Sequence, residues 1–326
     1  MLRLTARRES WPLAQPFTIS RGSRTTAEVV VTELLEGAHR GRGESVPYAR
    51  YGETVEGVLA AIGALAPAVA EGLDRAGLQA ALPPGAARNA VDAAFWDLEA
   101  KTSGKSVSRL AGIEPPRPVV TAYTLSLGEP EAMGRAAAEH AARPLLKLKL
   151  TGEGDLERVR AVRAAAPGSR LIVDANEGWN AEQFLRYAPA LAELGVALIE
   201  QPMPAGRDDA LAEMPHPVPV CADESCHTSE DIDALIGKYD VVNIKLDKTG
   251  GLTEALALVR AARAKGFRLM VGCMIGTSLA MAPACFLAQD AEFVDLDAPL
   301  LLANDRQPGL RYEGSTVYPP KPALWG

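Results

Sequence analysis

Five charged residues, Lys149, Asp174, Glu200, Asp223 and Lys245, punctuate the chain at gaps of 25, 26, 23 and 22 residues. Each sits in a short apolar run: LLKLKL, LIVDAN, ALIEQP, VCADES and VVNIKL. Such runs read as strands, and the gap between them is the length of one strand plus one helix. If the strands lie parallel and adjacent, all five side chains collect at one end of one sheet. The same alternation predicts eight strands, at 118–125, 145–150, 170–176, 197–202, 219–225, 241–246, 268–274 and 293–297. The helices between them carry end signals. Asn180 with Gln183 forms a capping box and Gly195 closes that helix. Thr228 with Asp231 opens another, and in TEALALVRAARAKGF Thr253 opens a helix that Gly266 ends. Eight such repeats favour a closed barrel over an open sheet. No GxGxxG follows a strand, so a dinucleotide site is not expected.

The chain before the barrel has a different pattern. LRLTARRE, TAEVVVTELLEG and HRGRGES read as strands, and helices are expected at 53–71, 75–81 and 86–102. The Pro-rich IEPPRPVV marks a boundary. The expected division is an α+β unit over 1–115, a barrel over 116–304, and a Pro-rich segment over 305–326 that returns to the first unit. The fold class is therefore α/β, a TIM-type barrel with an N-terminal α+β domain.

Composition narrows the partners. A net charge of −7 argues against nucleic acid or an anionic membrane as partner. Four cysteines at irregular spacing make no disulfide framework, which suits a reducing, cytoplasmic setting. Cys226-His227 has no matching pair of zinc ligands elsewhere. No signal peptide is visible at the N-terminus. The uncharged stretch 269–289 is broken by Thr277, Ser278 and Pro283, and reads as a buried strand, loop and helix rather than a membrane span.

Alternate side chains of a strand share a face, so Lys147 and Lys149 point the same way, into a barrel. Two ammoniums about 6 Å apart at an effective dielectric near 20 repel by about 3 kcal/mol. That lowers a lysine by roughly two pKa units and makes it a base near neutral pH. The plain alternative is an exposed edge strand with snorkelling lysines. The matching VNIKLDK two repeats after IEQP speaks against it. Asp174, Glu200 and Asp223 end three successive strands and offer hard oxygen ligands for Mg²⁺ or Mn²⁺. Any one of them could instead cap a helix, but three in succession make that a weak account. Asn176 and Glu224 lie next to these ligands in sequence. Asp295 and Asp297 in VDLDAP suit either a cationic ligand group or a structural pairing with Lys or Arg.

The ordered set KLKL, IVDANEGW, IEQP, CADESCHT, VVNIKLDKTGGLTEAL, VGCM and VDLD resembles the muconate-lactonizing subgroup of the enolase superfamily. Within it the chain is most similar to dipeptide epimerases, and PFTISRGSRTTAEVVV, PYARYGE and GAARNAVDAAFWDL fit too. The resemblance implies a capping domain over a modified (β/α)7β barrel, with the first barrel helix displaced or absent as a standard repeat. It implies Asp174, Glu200 and Asp223 as magnesium ligands and Lys149 and Lys245 as the two acid–base lysines. Lys147 would help bind a substrate carboxylate, with Thr124, Cys273 and Ile275 lining the pocket. Asp295 and Asp297 would receive the ammonium of a small dipeptide such as L-Ala-D/L-Glu. Arg24 would meet its acidic side chain, with Arg21 competing for that role. A homo-oligomer is compatible with this reading. The rivals are an o-succinylbenzoate synthase or a muconate-type cycloisomerase on the same scaffold, and a barrel that binds without catalysis.

Overall fold

The computed structural model of the protein describes residues 2–326. Its N-terminal part is a three-stranded antiparallel sheet, β1 (Arg3–Ile19), β2 (Gly22–Glu36) and β3 (His39–Ser45). Helices Val55–Ala70, Arg75–Ala81 and Ala86–Ser103 follow, and Val30, Leu34, Ile62, Leu78, Val91 and Phe95 form part of the core they share with the sheet. The 86–103 helix packs so closely on β3 that a Cβ on Gly43 would lie 2.0 Å from the Ala90 carbonyl oxygen. Glycine alone fits there.

Two short pieces follow. β4 (Val119–Val120) joins no barrel strand. It pairs with the tail hairpin β13 (Tyr312–Glu313) and β14 (Thr316–Val317). The barrel proper starts at β5 (Tyr123–Leu125). The expected single strand 118–125 is thus two, split where the Thr121 N–H turns to the carbonyl of Ser315. The remaining barrel strands are β6 (Leu145–Lys149), β7 (Arg170–Asp174), β8 (Val196–Glu200), β9 (Val220–Ala222), β10 (Val241–Ile244), β11 (Arg268–Val271) and β12 (Phe293–Val294). They run in sequence order and pair in parallel. A hydrogen bond from Ala122 N–H to Val294 C=O, 2.8 Å, joins the first strand to the last and closes the sheet.

The interior is built in layers by the two-residue period of a strand. Ala122, Leu145, Ile172, Leu198, Cys221, Val241, Met270 and Phe293 form one apolar cluster, a floor with one side chain per strand. Intervening residues such as Leu146, Leu148, Val173, Ile199, Val242 and Val271 belong to the outer core with the helices. Two residues beyond each floor position stand Thr124, Lys147, Asp174, Glu200, Asp223, Asn243, Gly272 and Asp295. The floor excludes water from below, and the polar layer rests directly on it.

The helical layer departs from the expected repeat. The first barrel helix is present, Pro130–Glu139. Between β8 and β9 only a 3-10 turn, Asp209–Glu213, appears. The helix expected after Thr228 is a 3-10 turn, Ser229–Asp231, and one helical turn, Ile232–Leu235, though the capping box forms. The 181–193 helix has the Asn180–Gln183 capping box in full. The uncharged stretch is β11 followed by the buried helix Ser278–Ala284. Among the described residues no helix is long and apolar enough to cross a membrane.

The N-terminal sheet and helices dock on the barrel's C-terminal end through buried polar contacts. Asp247 Oδ1 accepts hydrogen bonds from Val46 N–H (2.9 Å) and Asn89 Nδ2 (2.8 Å). The Arg88 guanidinium donates to Thr249 C=O and Gly250 C=O. The chain end returns to the same helix: Trp325 Nε1 donates to Ala93 C=O and Gly326 N–H to Asp97 Oδ1.

Candidate active site

The parallel register sets Lys149 opposite Asp174 and Asp174 opposite Glu200, so the ends of β6, β7 and β8 are level. Asp223 lies just past β9, two residues beyond Cys221, which is level with Glu200. Lys245 follows β10 directly. Its arm has room because Gly272 has no side chain: a Cβ there would sit 2.7 Å from Asn243 Oδ1 and 3.1 Å from Lys245 Cε.

A cavity opens above this layer. Thr124, Lys147, Lys149, Asp223, Lys245, Cys273, Ile275, Asp295 and Asp297 line it from the barrel side. Phe17, Ile19, Arg21 and Arg24 reach it from the hairpin of β1 and β2, and Tyr48 and Tyr51 from the segment after β3. Asp174 and Glu200 are fully buried beneath. The sequence therefore placed its candidate residues around one cavity. Tyr48, Tyr51 and Met274 also line it; they lie in PYARYGE and VGCM, motifs that the sequence singled out without naming these side chains.

The charges interlock. Lys149 Nζ is 2.6 Å from Asp174 Oδ2, and Lys245 Nζ is 2.6 Å from Asp223 Oδ2. Lys147 Nζ donates to Asp295 Oδ2 at 2.8 Å. It also lies 2.6 Å from Glu200 Oε2 and 3.3 Å from Asp174 Oδ2. Asn243 Nδ2 donates to the other Glu200 oxygen at 2.7 Å. A third lysine, Lys248, is fully buried, 2.7 Å from Asp223 Oδ1, and donates to the backbone carbonyls of Asp223 and Asn243. Its signal was in the sequence, three residues after Lys245 in IKLDK.

These contacts correct, for Lys147, the expectation that lysine–lysine repulsion lowers it. Burial pulls Lys147 down, but Asp295, Glu200 and Asp174 outweigh it and hold the ammonium well above its ordinary range. Burial likewise lowers Lys245, and Asp223 and Glu200 reverse the sign. Desolvation opposes ionisation of Asp174, but Lys149 and Lys147 hold its carboxyl below the usual range. Glu224, buried beside Asp223 and Asp174, is pushed up to about 7.

Arg21 and Arg24 separate cleanly. Arg21 donates to Glu224 Oε1 (2.8 Å), Asn176 C=O (3.0 Å), Tyr48 OH (3.0 Å) and Glu177 Oε2 (3.3 Å), so its guanidinium is committed to the protein. Arg24 lies 5.5 Å from the centroid of the Tyr48 ring, and among the described residues no carboxylate forms a salt bridge with it. At the opposite wall Asp297 Oδ2 accepts the Thr124 N–H at 2.6 Å. Burial and then the neighbouring Asp295 push Asp297 up to about 7.

Glu200 Oε2 and Asp223 Oδ1 are buried, and each faces a lysine ammonium, Lys147 at 2.6 Å and Lys248 at 2.7 Å, without an aligned hydrogen bond. Three carboxylates without sulfur or imidazole are the donor set of a hard divalent ion. Among the described residues no three acidic, His or Cys side chains are drawn around a common point. Asp174 and Asp223 each turn an oxygen to a lysine instead. Cys226 is buried in the outer core and His227 packs edge-on to Tyr51.

This arrangement has relatives. Residues 132–322 match the family described as enolase C-terminal domain-like, and residues 1–112 match the mandelate racemase / muconate lactonizing enzyme N-terminal domain. The chain belongs to the enolase superfamily. It is 51% identical to the L-Ala-D/L-Glu epimerase of Escherichia coli (strain K12) over 306 residues, 93% of this chain and 95% of that one. It is 44% identical to the N-acetyl-D-glutamate racemase of a Pseudoalteromonas species over 300 residues, 91% and 95% of the two chains. Among solved structures, an enolase family member from Agrobacterium tumefaciens with homology to dipeptide epimerases, holding sodium and L-Ala-L-Glu, superposes with a TM-score of 0.98 at 56% identity over 100% of both chains. The dipeptide epimerase of Enterococcus faecalis V583, complexed with Mg and L-Leu-L-Tyr, superposes at 0.90 with 29% identity, covering 98% of this chain and 97% of that one. Epimerases and racemases are isomerases, and this chain is an enzyme of that class.

Proposed function

We propose that this enzyme is a Mg²⁺-dependent dipeptide epimerase that interconverts L-Ala-L-Glu and L-Ala-D-Glu. The observation that carries the reading is the placement of the two lysines. Lys149 ends the second barrel strand and Lys245 follows the sixth. Strands four places apart in a closed barrel of eight face one another, so a substrate between them has an amine on each side. The three carboxylates occupy the strands in between.

Asp174, Glu200 and Asp223 would hold the divalent cation, which when bound supplies a Lewis acid for the substrate's terminal carboxylate. Lys147 adds a positive charge next to that carboxylate and stabilises the enediolate that forms when the α-proton leaves. With Glu200 and Asp223 holding a cation, the carboxylates that keep Lys245 an ammonium would be offset, and one of Lys149 and Lys245, then neutral, removes the proton. The other, as an ammonium, returns one to the opposite face. Their roles exchange for the reverse reaction. Among the described residues Arg24 has no carboxylate partner, and it lines the cavity, which suits the glutamyl side chain. Asp295 and Asp297 suit the free ammonium. Recycling of cell-wall murein peptides in the cytoplasm is the role that fits such a substrate.

A second reading has a specific basis. Lys147 already compensates Asp295, and Asp297 sits near 7, so the pair carries less than two negative charges at neutral pH. An N-acyl amino acid, with no ammonium, meets less opposition there than two free carboxylates would give. The test is a library of dipeptides, N-acyl amino acids and succinylbenzoate precursors incubated with enzyme and Mg²⁺ in D₂O, with α-deuteration read by mass spectrometry. Free dipeptides ending in glutamate should exchange fastest. Preference for N-acetylglutamate would overturn the dipeptide assignment and leave the proton chemistry standing.

A further inference from the structure

Gln201 is the residue after Glu200, at the turn that leaves β8, and its φ is +34°, a region that side-chain-bearing residues seldom occupy. Its side chain is fully buried. Oε1 accepts the backbone N–H of Asp223 at 2.8 Å and that of Ser225 at 3.1 Å. A backbone N–H can only donate, so these two contacts fix which way the amide points. Nε2 then faces Met203 C=O (2.9 Å), Ser225 Oγ (2.8 Å) and Tyr239 OH (2.9 Å). Both hydroxyls donate their own protons to Asp208 Oδ2, at 2.5 and 2.6 Å, and so present lone pairs to the amide. Lys238 Nζ holds the other Asp208 oxygen at 3.1 Å. The Gln201 backbone joins the same fabric: its N–H donates to Cys221 C=O, and its C=O accepts from Glu177 N–H, both at 2.9 Å.

One side chain thus spans the ends of β8 and β9, and its backbone reaches the loop after β7. Gln201, Asp208, Ser225 and Tyr239 do not line the substrate cavity. We propose that Gln201 is a positioning residue: its amide sets the spacing of Glu200 and Asp223 for a divalent cation, with Tyr239 and Asp208 as the fixed anchor behind it. The proposal rests on the assignment of Asp174, Glu200 and Asp223 as cation ligands. A merely structural amide would lower stability and leave cation affinity alone.

The experiment titrates Mg²⁺ alone into the full-length wild type, Gln201→Ala and Glu200→Gln by calorimetry, with Tm measured in parallel. Gln201→Ala should weaken Mg²⁺ binding by about 10- to 100-fold, the usual effect of losing a group behind the ligands. At saturating Mg²⁺ its KM for L-Ala-L-Glu should stay near the wild-type value. Wild-type Mg²⁺ affinity together with a lowered Tm overturns the proposal. Should Gln201→Ala not fold, Gln201→Met keeps the side chain's length without its polar atoms, and wild-type affinity there is equally fatal. A wild type that binds no Mg²⁺, or a Glu200→Gln protein that binds it unchanged, removes the ligand assignment and this proposal with it.

Discussion

Lys245 Nζ stands 2.6 Å from Asp223 Oδ2, one strand away, and the pair is mirrored on the facing wall by Lys149 with Asp174 at the same distance. Each lysine is therefore tied to the carboxylate next to it. This symmetry bears directly on stereochemistry: an amine on each side of one carbon can serve both epimers, and neither alone can.

Replacing Lys149 or Lys245 by alanine should each abolish epimerisation, by about 10²- to 10⁴-fold, the range for a lost acid–base group. The two variants should differ in exchange. Each should still wash deuterium into the α-position of one epimer only, the one whose proton faces the remaining lysine. Proton NMR of L-Ala-L-Glu and L-Ala-D-Glu in D₂O separates the cases. Wild-type epimerisation by either variant would sink the two-base scheme.

Glu200 tests the cation. Its buried Oε2 faces only the Lys147 ammonium, at 2.6 Å, whereas Oε1 is held by Asn243. Glu200→Gln keeps size and removes a charged ligand. Activity should fall by about 100-fold or more, in line with the loss of several kcal/mol of transition-state charge stabilisation. EDTA should inactivate the wild type, and added Mg²⁺ should restore it. Full activity of the wild type after exhaustive chelation would contradict the assignment.

Asp247 gives a pH signature outside the cavity. Burial raises its pKa from 3.8 to about 7. The folded form thus holds a proton that the unfolded chain releases. The stability it contributes is fully present below pH ~4 and is lost as pH rises toward about 7. Asp247→Asn keeps an acceptor for Val46 N–H and Asn89 but cannot ionise. Its Tm should fall less than that of the wild type between pH 5 and 8, by circular dichroism. Parallel Tm curves for the two proteins over that interval would refute the buried, proton-holding state.

Much of this site was legible because a strand has a period of two and a strand–helix unit has a near-constant length. Those two regularities place Lys147, Lys149, Asp174, Glu200 and Asp223 on inward positions without any knowledge of contacts. What they cannot supply is the far end of each interaction. Gln201 reads as part of IEQP, and only the folded chain brings its amide against Asp223 and Tyr239. The split of 118–125 depends on a tail hairpin near the other end of the chain. The sign of the Lys147 shift was misjudged for the same reason. Repulsion within KLKL is local and visible, whereas Asp295, which dominates among the charges around Lys147, comes from the last barrel strand.

Arg24 should govern the second residue of the substrate. Its guanidinium has no carboxylate partner among the described residues, while Arg21 is held by Glu224 and Glu177. A hydrogen bond to a charged group is worth about 1.5–3 kcal/mol, a factor of roughly 10 to 150. Arg24→Met should lower kcat/KM for L-Ala-L-Glu by that factor and leave L-Ala-L-Met little changed. Steady-state rates on both dipeptides decide it. An equal loss on the two would assign Arg24 to shaping the cavity rather than to reading the side chain.

Asp297 carries the most direct test of whether an ammonium belongs in this site. Burial and the adjacent Asp295 raise it to about 7, against the pull of the Thr124 N–H. At pH 7 a good part of the population therefore holds a proton on Asp297. An ammonium docking between Asp295 and Asp297 favours the carboxylate and expels that proton. Binding of L-Ala-L-Glu at pH 7 should then release protons, seen in calorimetry as a binding enthalpy that changes with the ionisation enthalpy of the buffer. N-acetyl-L-Ala-L-Glu, with no charge at that end, should show no such dependence. Asp297→Asn should abolish the proton release for the free dipeptide. It should also cut kcat/KM by a factor of about 150 or more, since breaking a buried charge pair costs about 3 kcal/mol at the least. If the binding enthalpy of the free dipeptide is the same in every buffer, the ammonium binds elsewhere. The pair would then be a structural partner of Lys147, and the N-acyl reading would take precedence.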